Sequence, residues 1–77
     1  MSKGSVNLSE MVNNWPSPFV ARGEVSRFTG GIINPKTLAN LDSRGEGPAG
    51  RIRVGRKIAY PVQAFIEWLE KRATVVA

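Results

Sequence analysis

Two groups of side chains carry the chemistry available to this chain. Residues 51–60 (RIRVGRKIAY) hold Arg51, Arg53, Arg56 and Lys57 with no acid among them. Residues 36–44 hold Lys36, Thr37, Ala39, Asn40, Ser43 and Arg44. These types bind rather than transform. Guanidinium and ammonium groups neutralise phosphates. An Asn amide can pair with adenine, Lys and Arg can reach guanine, and Ala or the Thr methyl can meet a thymine methyl. The usual catalytic types are missing. The chain has no His and no Cys, which removes the commonest general base and the thiolate ligands. Its six carboxylates are scattered, and no Gly-rich stretch fits a phosphate-loop template. Gly45-Glu46-Gly47-Pro48 is turn chemistry rather than a phosphate cradle. No catalytic residue, metal-ligand set or cofactor is therefore expected, and the chain reads as non-enzymatic.

Charge agrees with a binding role. Eleven Lys and Arg face six Asp and Glu, a net charge of +5. A basic balance favours an anionic partner. Seventy-seven residues make one small domain, and 42% hydrophobic against 22% charged residues makes it a folded one. No apolar run approaches the roughly 20 residues needed to cross a bilayer, and no signal-peptide pattern opens the chain. With no cysteine either, a cytoplasmic protein without a membrane partner is expected.

The elements that must position these residues are read from caps, breakers and periodicity. Residues 1–18 read as a flexible tail, with one helical turn near Leu8–Val12 and an extended connector at Trp15-Pro16-Ser17-Pro18. Trp15 reads as a packing residue at the domain edge. Residues 22–29 read as a short helix with Val25 and Phe28 on one face, ended by Gly30-Gly31. Asn34 is a preferred N-cap and Pro35 a preferred first helical residue, so a second helix runs to Ser43 or Arg44. Leu38 and Leu41 point inward, and Lys36, Ala39, Asn40 and Ser43 lie on the opposite face, flanked by Thr37 and Arg44. Residues 51–60 read as a β-hairpin. A three-residue Gly55-Arg56-Lys57 loop pairs Val54 with Ile58 and turns Ile52, Val54, Ile58 and Tyr60 inward. A two-residue loop splits that apolar face, so the longer one is expected. Pro61 opens a last helix to about Ala73, with Val62, Phe65, Ile66 and Leu69 in one stripe and Lys71 and Arg72 suited to the dipole of its final turn. Trp68 is either a lid on the core or an exposed contact. Residues 74–77 are expected to fray.

The order helix, turn, helix, basic hairpin, helix is that of a small α+β winged helix-turn-helix over residues 19–73. In that arrangement the second helix enters a major groove, offering Lys36, Thr37, Ala39, Asn40, Ser43 and Arg44. The hairpin becomes a wing, with Arg51, Arg53, Arg56 and Lys57 along the backbone or in a minor groove. Double-stranded DNA is the expected partner. The expected free state is a monomer, with further copies assembling on DNA.

Specific strings narrow this. The helix ends in Ser43-Arg44-Gly45-Glu46-Gly47-Pro48, followed by Arg53-Val54-Gly55-Arg56-Lys57 and by Tyr60-Pro61 leading into Phe65-Ile66-Glu67-Trp68-Leu69. With these, residues 35–69 resemble the excisionase and AlpA group of the MerR-like winged-helix superfamily. That resemblance implies a small phage- or plasmid-borne DNA-binding protein. It would be a recombination directionality factor working beside an integrase, or a transcription regulator of prophage genes. The chain departs from many members at the first helix, where Phe19-Val20-Ala21-Arg22-Gly23-Glu24 replaces a Leu-Thr start and an Ala-rich helix. Two alternatives stand beside it: the DNA-packaging module of a terminase small subunit, and a protein-interaction adaptor using Trp15 and Trp68.

Overall fold

The computed structural model describes residues 7–74. A 3-10 turn over Ser9–Asn14 leads to strand β1 (Phe19–Ala21). A second 3-10 turn, Arg22–Glu24, runs into helix α1 (Val25–Thr29), followed by α2 (Pro35–Ser43). Strands β2 (Ile52–Val54) and β3 (Lys57–Pro61) form a hairpin, and α3 (Val62–Arg72) follows at once. The three strands form an antiparallel sheet in the order β1-β3-β2, so the chain is a small α+β protein.

The two longest helices begin and end near where their residues require. The Asn34 side chain accepts the Thr37 N–H at 2.8 Å, capping α2 ahead of Pro35. Leu38 and Leu41 are buried beneath it. In α3 the buried residues are Val62, Phe65, Ile66 and Leu69, the expected stripe. The turn between α1 and α2 is tied by hydroxyls. Buried Thr29 donates to the Val25 carbonyl at 2.8 Å and accepts the Ile33 N–H at 3.1 Å. Ser26 donates to the Ile33 carbonyl at 3.2 Å. The two bonds to Ile33 thus tie the end of the turn back to α1. Val20, Val25, Leu38, Tyr60, Phe65 and Ile66 make the fully buried centre.

Three expectations need correction. First, β1 was not anticipated. Three residues are too short for a period to show, yet Val20 pairs with Tyr60 and is fully buried. Second, the chain before residue 19 is not a detached tail where it is described. Leu8, Met11 and Trp15 pack against the core, and the Leu8 N–H donates to Glu70 at 2.7 Å. Residues 1–6 of the expected tail and 75–77 of the expected frayed end lie outside the described residues. Third, the hairpin takes the shorter loop. Val54 pairs with Lys57, Arg53 with Ile58 and Ile52 with Ala59. The cause is local. A three-residue loop needs a left-handed last residue, and Lys57 resists that. Gly55 supplies the positive φ (61°) instead, at the first position of a two-residue turn, as type II′ geometry requires. The slip of one residue reverses the faces of β2. Ile52 and Val54 are consequently 39% and 66% exposed rather than inward, and Arg53 shares the face of Ile58.

Candidate nucleic-acid interface

Helix α2 presents its polar residues outward, Asp42 excepted. Lys36, Thr37, Asn40, Ser43 and Arg44 are exposed, and Ala39 is half-buried. The Ser43 hydroxyl donates to the Asn40 carbonyl at 2.8 Å, which leaves the Asn40 amide outside that bond. Arg44 lies 3.5 Å from Glu46, an ion pair open to solvent on both sides. Such pairs contribute little and exchange readily.

One carboxylate, Asp42, occurs within α2, and it faces the core with its side chain 3% exposed. Its Oδ2 accepts the Tyr60 hydroxyl at 2.5 Å and an Arg22 N–H at 2.7 Å. Arg22 also donates through Nε to the Tyr60 oxygen at 3.0 Å, closing a triangle. Burial pushes the Tyr60 phenol up to about 12, with the Asp42 hydrogen bond acting in the same direction. Burial opposes the Arg22 charge, but its bonds to Tyr60 and Asp42 win and raise its pKa. The remaining oxygen, Oδ1, has no hydrogen-bond partner and lies 3.7 Å from the Arg51 guanidinium. Gly47 closes over it so tightly that an added Cβ would overlap Oδ1. The triangle joins β3, α2 and the turn before α1, and Arg51 links it to the root of the hairpin.

The hairpin cations Arg51, Arg53, Arg56 and Lys57 are all exposed. The structure divides them. Arg56 and Lys57 line a shallow groove with Arg22, Glu24 and Pro35, beside the first turn of α2. Arg51 leans toward Asp42, while Arg53 shares the face of Ile58. On α2, Thr37, Asn40, Ser43 and Arg44 border an open polar depression, and its further wall is Arg72 from α3. Lys36 lines neither hollow. Both tryptophans are half-buried with their indole N–H groups used internally, Trp15 on the Phe19 carbonyl at 2.9 Å and Trp68 on the Glu46 carbonyl at 2.8 Å.

Sequence reasoning missed Asp42, Arg22, Tyr60 as a polar group, and Arg72. A signal for Asp42 was present. Leu38, Leu41 and Asp42 stand at i, i+3 and i+4, so they share one helix face, and a charge on a core stripe requires a partner. Arg72 carried no such signal, because its place depends on how α3 crosses α2.

No family model, curated protein or solved structure matches this chain. The geometry of the chain itself therefore carries the functional reading.

Proposed function

We propose that this chain binds double-stranded DNA sequence-specifically as a winged helix-turn-helix protein. Helix α2 would lie in the major groove, and the β2–β3 hairpin would act as the wing. One observation carries the reading. Helix α2 and the hairpin together hold a single carboxylate, Asp42, and it is turned inward and occupied by Arg22 and Tyr60. Besides the exposed Ile52 and Val54 of β2, their outer surface offers an amide, hydroxyls and cations and no carboxylate, the donor set that DNA phosphates and base edges accept. The loaded side chains also divide by task. Asn40 and Thr37 sit on a helix fixed by its core contacts, as base readers require. Arg56 and Lys57 sit at a hairpin tip, as phosphate contacts allow.

Within that reading, the resemblance of residues 35–69 to the excisionase and AlpA group favours a recombination directionality factor or a regulator of mobile-element genes. Either role needs only specific DNA binding, and an integrase is the added partner of the first. The internal use of both indole N–H groups weighs against an adaptor that recognises partners through Trp15 and Trp68.

The test is a duplex titration at several salt concentrations, preceded by selection of bound sites from random duplex DNA. Enrichment of one site, with affinity falling steeply as salt rises, is the expected result. Failure to enrich any site, or affinity indifferent to salt, overturns the proposal.

A further inference from the structure

Arg72 stands at the end of α3, outside every element that the winged-helix reading uses for contact. It nevertheless faces α2 across an open depression. It forms one wall of the depression bordered by Thr37, Asn40, Ser43 and Arg44. It is exposed, and it makes no ion pair with a carboxylate of the described residues. Glu70, two positions away, is instead held by the Leu8 N–H at 2.7 Å. What fixes Arg72 is an aromatic face. Its guanidinium carbon sits 5.0 Å from the Trp68 ring centroid, and Trp68 is anchored by its N–H on the Glu46 carbonyl and by Phe65 at 5.5 Å. A stacked guanidinium keeps its N–H edges available while losing rotamer freedom, which suits it to bidentate contact with a phosphate.

We infer that Arg72 is a phosphodiester-binding residue beside the exposed face of α2, positioned by Trp68. This rests on the DNA-binding reading and adds an element to it. The exposed face of α2 is then bracketed by cations from two separate parts of the chain. Arg56 and Lys57 of the hairpin share a groove with Pro35 at its start, and Arg72 of α3 lines the depression that runs from Thr37 to Arg44. A helix seated in a major groove about 12 Å wide has a phosphate strand on either side. Cations carried by two separate elements beside its exposed face can meet phosphates on both strands, which fixes the helix in the groove before any base is read.

The experiment compares wild type with Arg72→Gln, Arg72→Lys and Lys71→Gln on a labelled mixed-sequence duplex over a range of salt. Lys71 is the neighbouring exposed cation and does not line the depression. The expected result is a log–log salt slope shallower by about 0.9 for Arg72→Gln, one lost phosphate contact, with the wild-type slope kept by Arg72→Lys and Lys71→Gln. An unchanged slope for Arg72→Gln overturns the inference, even if its melting temperature falls, since Arg72 then only finishes the helix. An equal loss for Lys71→Gln also overturns it, because the effect is then net charge and not place. If wild type itself shows no salt-dependent duplex binding, the DNA reading fails first and this inference with it.

Discussion

In α2, Leu38 is fully buried and Leu41 and Asp42 are each 5% exposed; in β2 every residue is exposed, Val54 to 66%. The helix is held from below by the core, at its start by the Asn34 cap and at its back by Arg22 and Tyr60. The hairpin is held only toward its base, through Ile58 and Tyr60 of β3 and the pairing of β3 with β1. Both regions display cations, yet one is braced on three sides and the other projects from a single edge of the sheet. The difference fits what each would do. Reading a base edge requires an amide placed to within a fraction of an ångström, while a phosphate contact tolerates a moving partner.

The sharpest way to break the contrast is at its anchor. Asp42→Ala leaves Arg22 and Tyr60 without their shared acceptor. It should cost about 3 kcal/mol of folding stability, near the low end for a broken buried pair because Arg22 is partly exposed. A urea midpoint within error of wild type would mean that the triangle does not hold α2. The same anchor has a signature at high pH. Tyr60 is the only tyrosine, so phenolate absorbance reports it alone. Its pKa is raised to about 12 in the folded chain from the ordinary 10. The folded state keeps the proton that the unfolded state loses, so this group's contribution is complete below pH 10 and disappears as pH climbs toward 12. Tyr60→Phe should remove that part of the pH dependence, and a phenol titrating near 10 in folded protein contradicts the assignment.

The binding predictions sharpen the contrast. Asn40→Ala should leave the melting temperature unchanged, weaken the selected site by about 1–3 kcal/mol and relax preference at one base pair. Undiminished affinity in a folded variant removes Asn40 as a base reader. Changing both Arg56 and Lys57 to Ala should act differently, weakening specific and mixed-sequence duplexes about equally. The salt slope should become shallower by about 2, one step of roughly 0.9 for each phosphate. A wild-type slope in the soluble, folded double variant rules out a contacting wing. The smallest effect belongs to the outer face of β2. Val54→Thr should shift stability by less than about 0.5 kcal/mol, because that side chain buries little. A loss of several kcal/mol would place Val54 in the core, where the alternative register puts it.

That register shows where sequence reasoning ends. The strings Asn34-Pro35 and Val62/Phe65/Ile66/Leu69 announce α2 and α3 because capping and periodicity are local. RIRVGRKIAY announces a hairpin but allows two pairings. The apolar count favours burying Ile52 and Val54, whereas the left-handed residue must be Gly55, and backbone geometry decides. Strand β1 is legible only from its partner β3. The exposure of Thr37, Asn40, Ser43 and Arg44 follows from helix phase, and that of Arg56 and Lys57 from their place at the hairpin tip; Arg51 and Arg53 are exposed although the register puts them on the face of Ile58. The pairing of Asp42 with Arg22 and Tyr60, and the approach of Arg72 to α2, join residues far apart in the chain, and no local pattern encodes them.

The sheet order also sets a timetable for folding. The β2–β3 hairpin is a local structure of the kind that closes in about 1–10 μs. Strand β1 must find β3 across both α1 and α2, pairing Phe19 with Pro61. During synthesis β1 is made well before its partner, so α1 and α2 are complete while one wall of their core is still missing. Closing that long loop carries an entropic cost repaid only once Val20 and Tyr60 are buried together. Docking of β1 thus completes the sheet and the core together, and the hairpin gains its base in the same step.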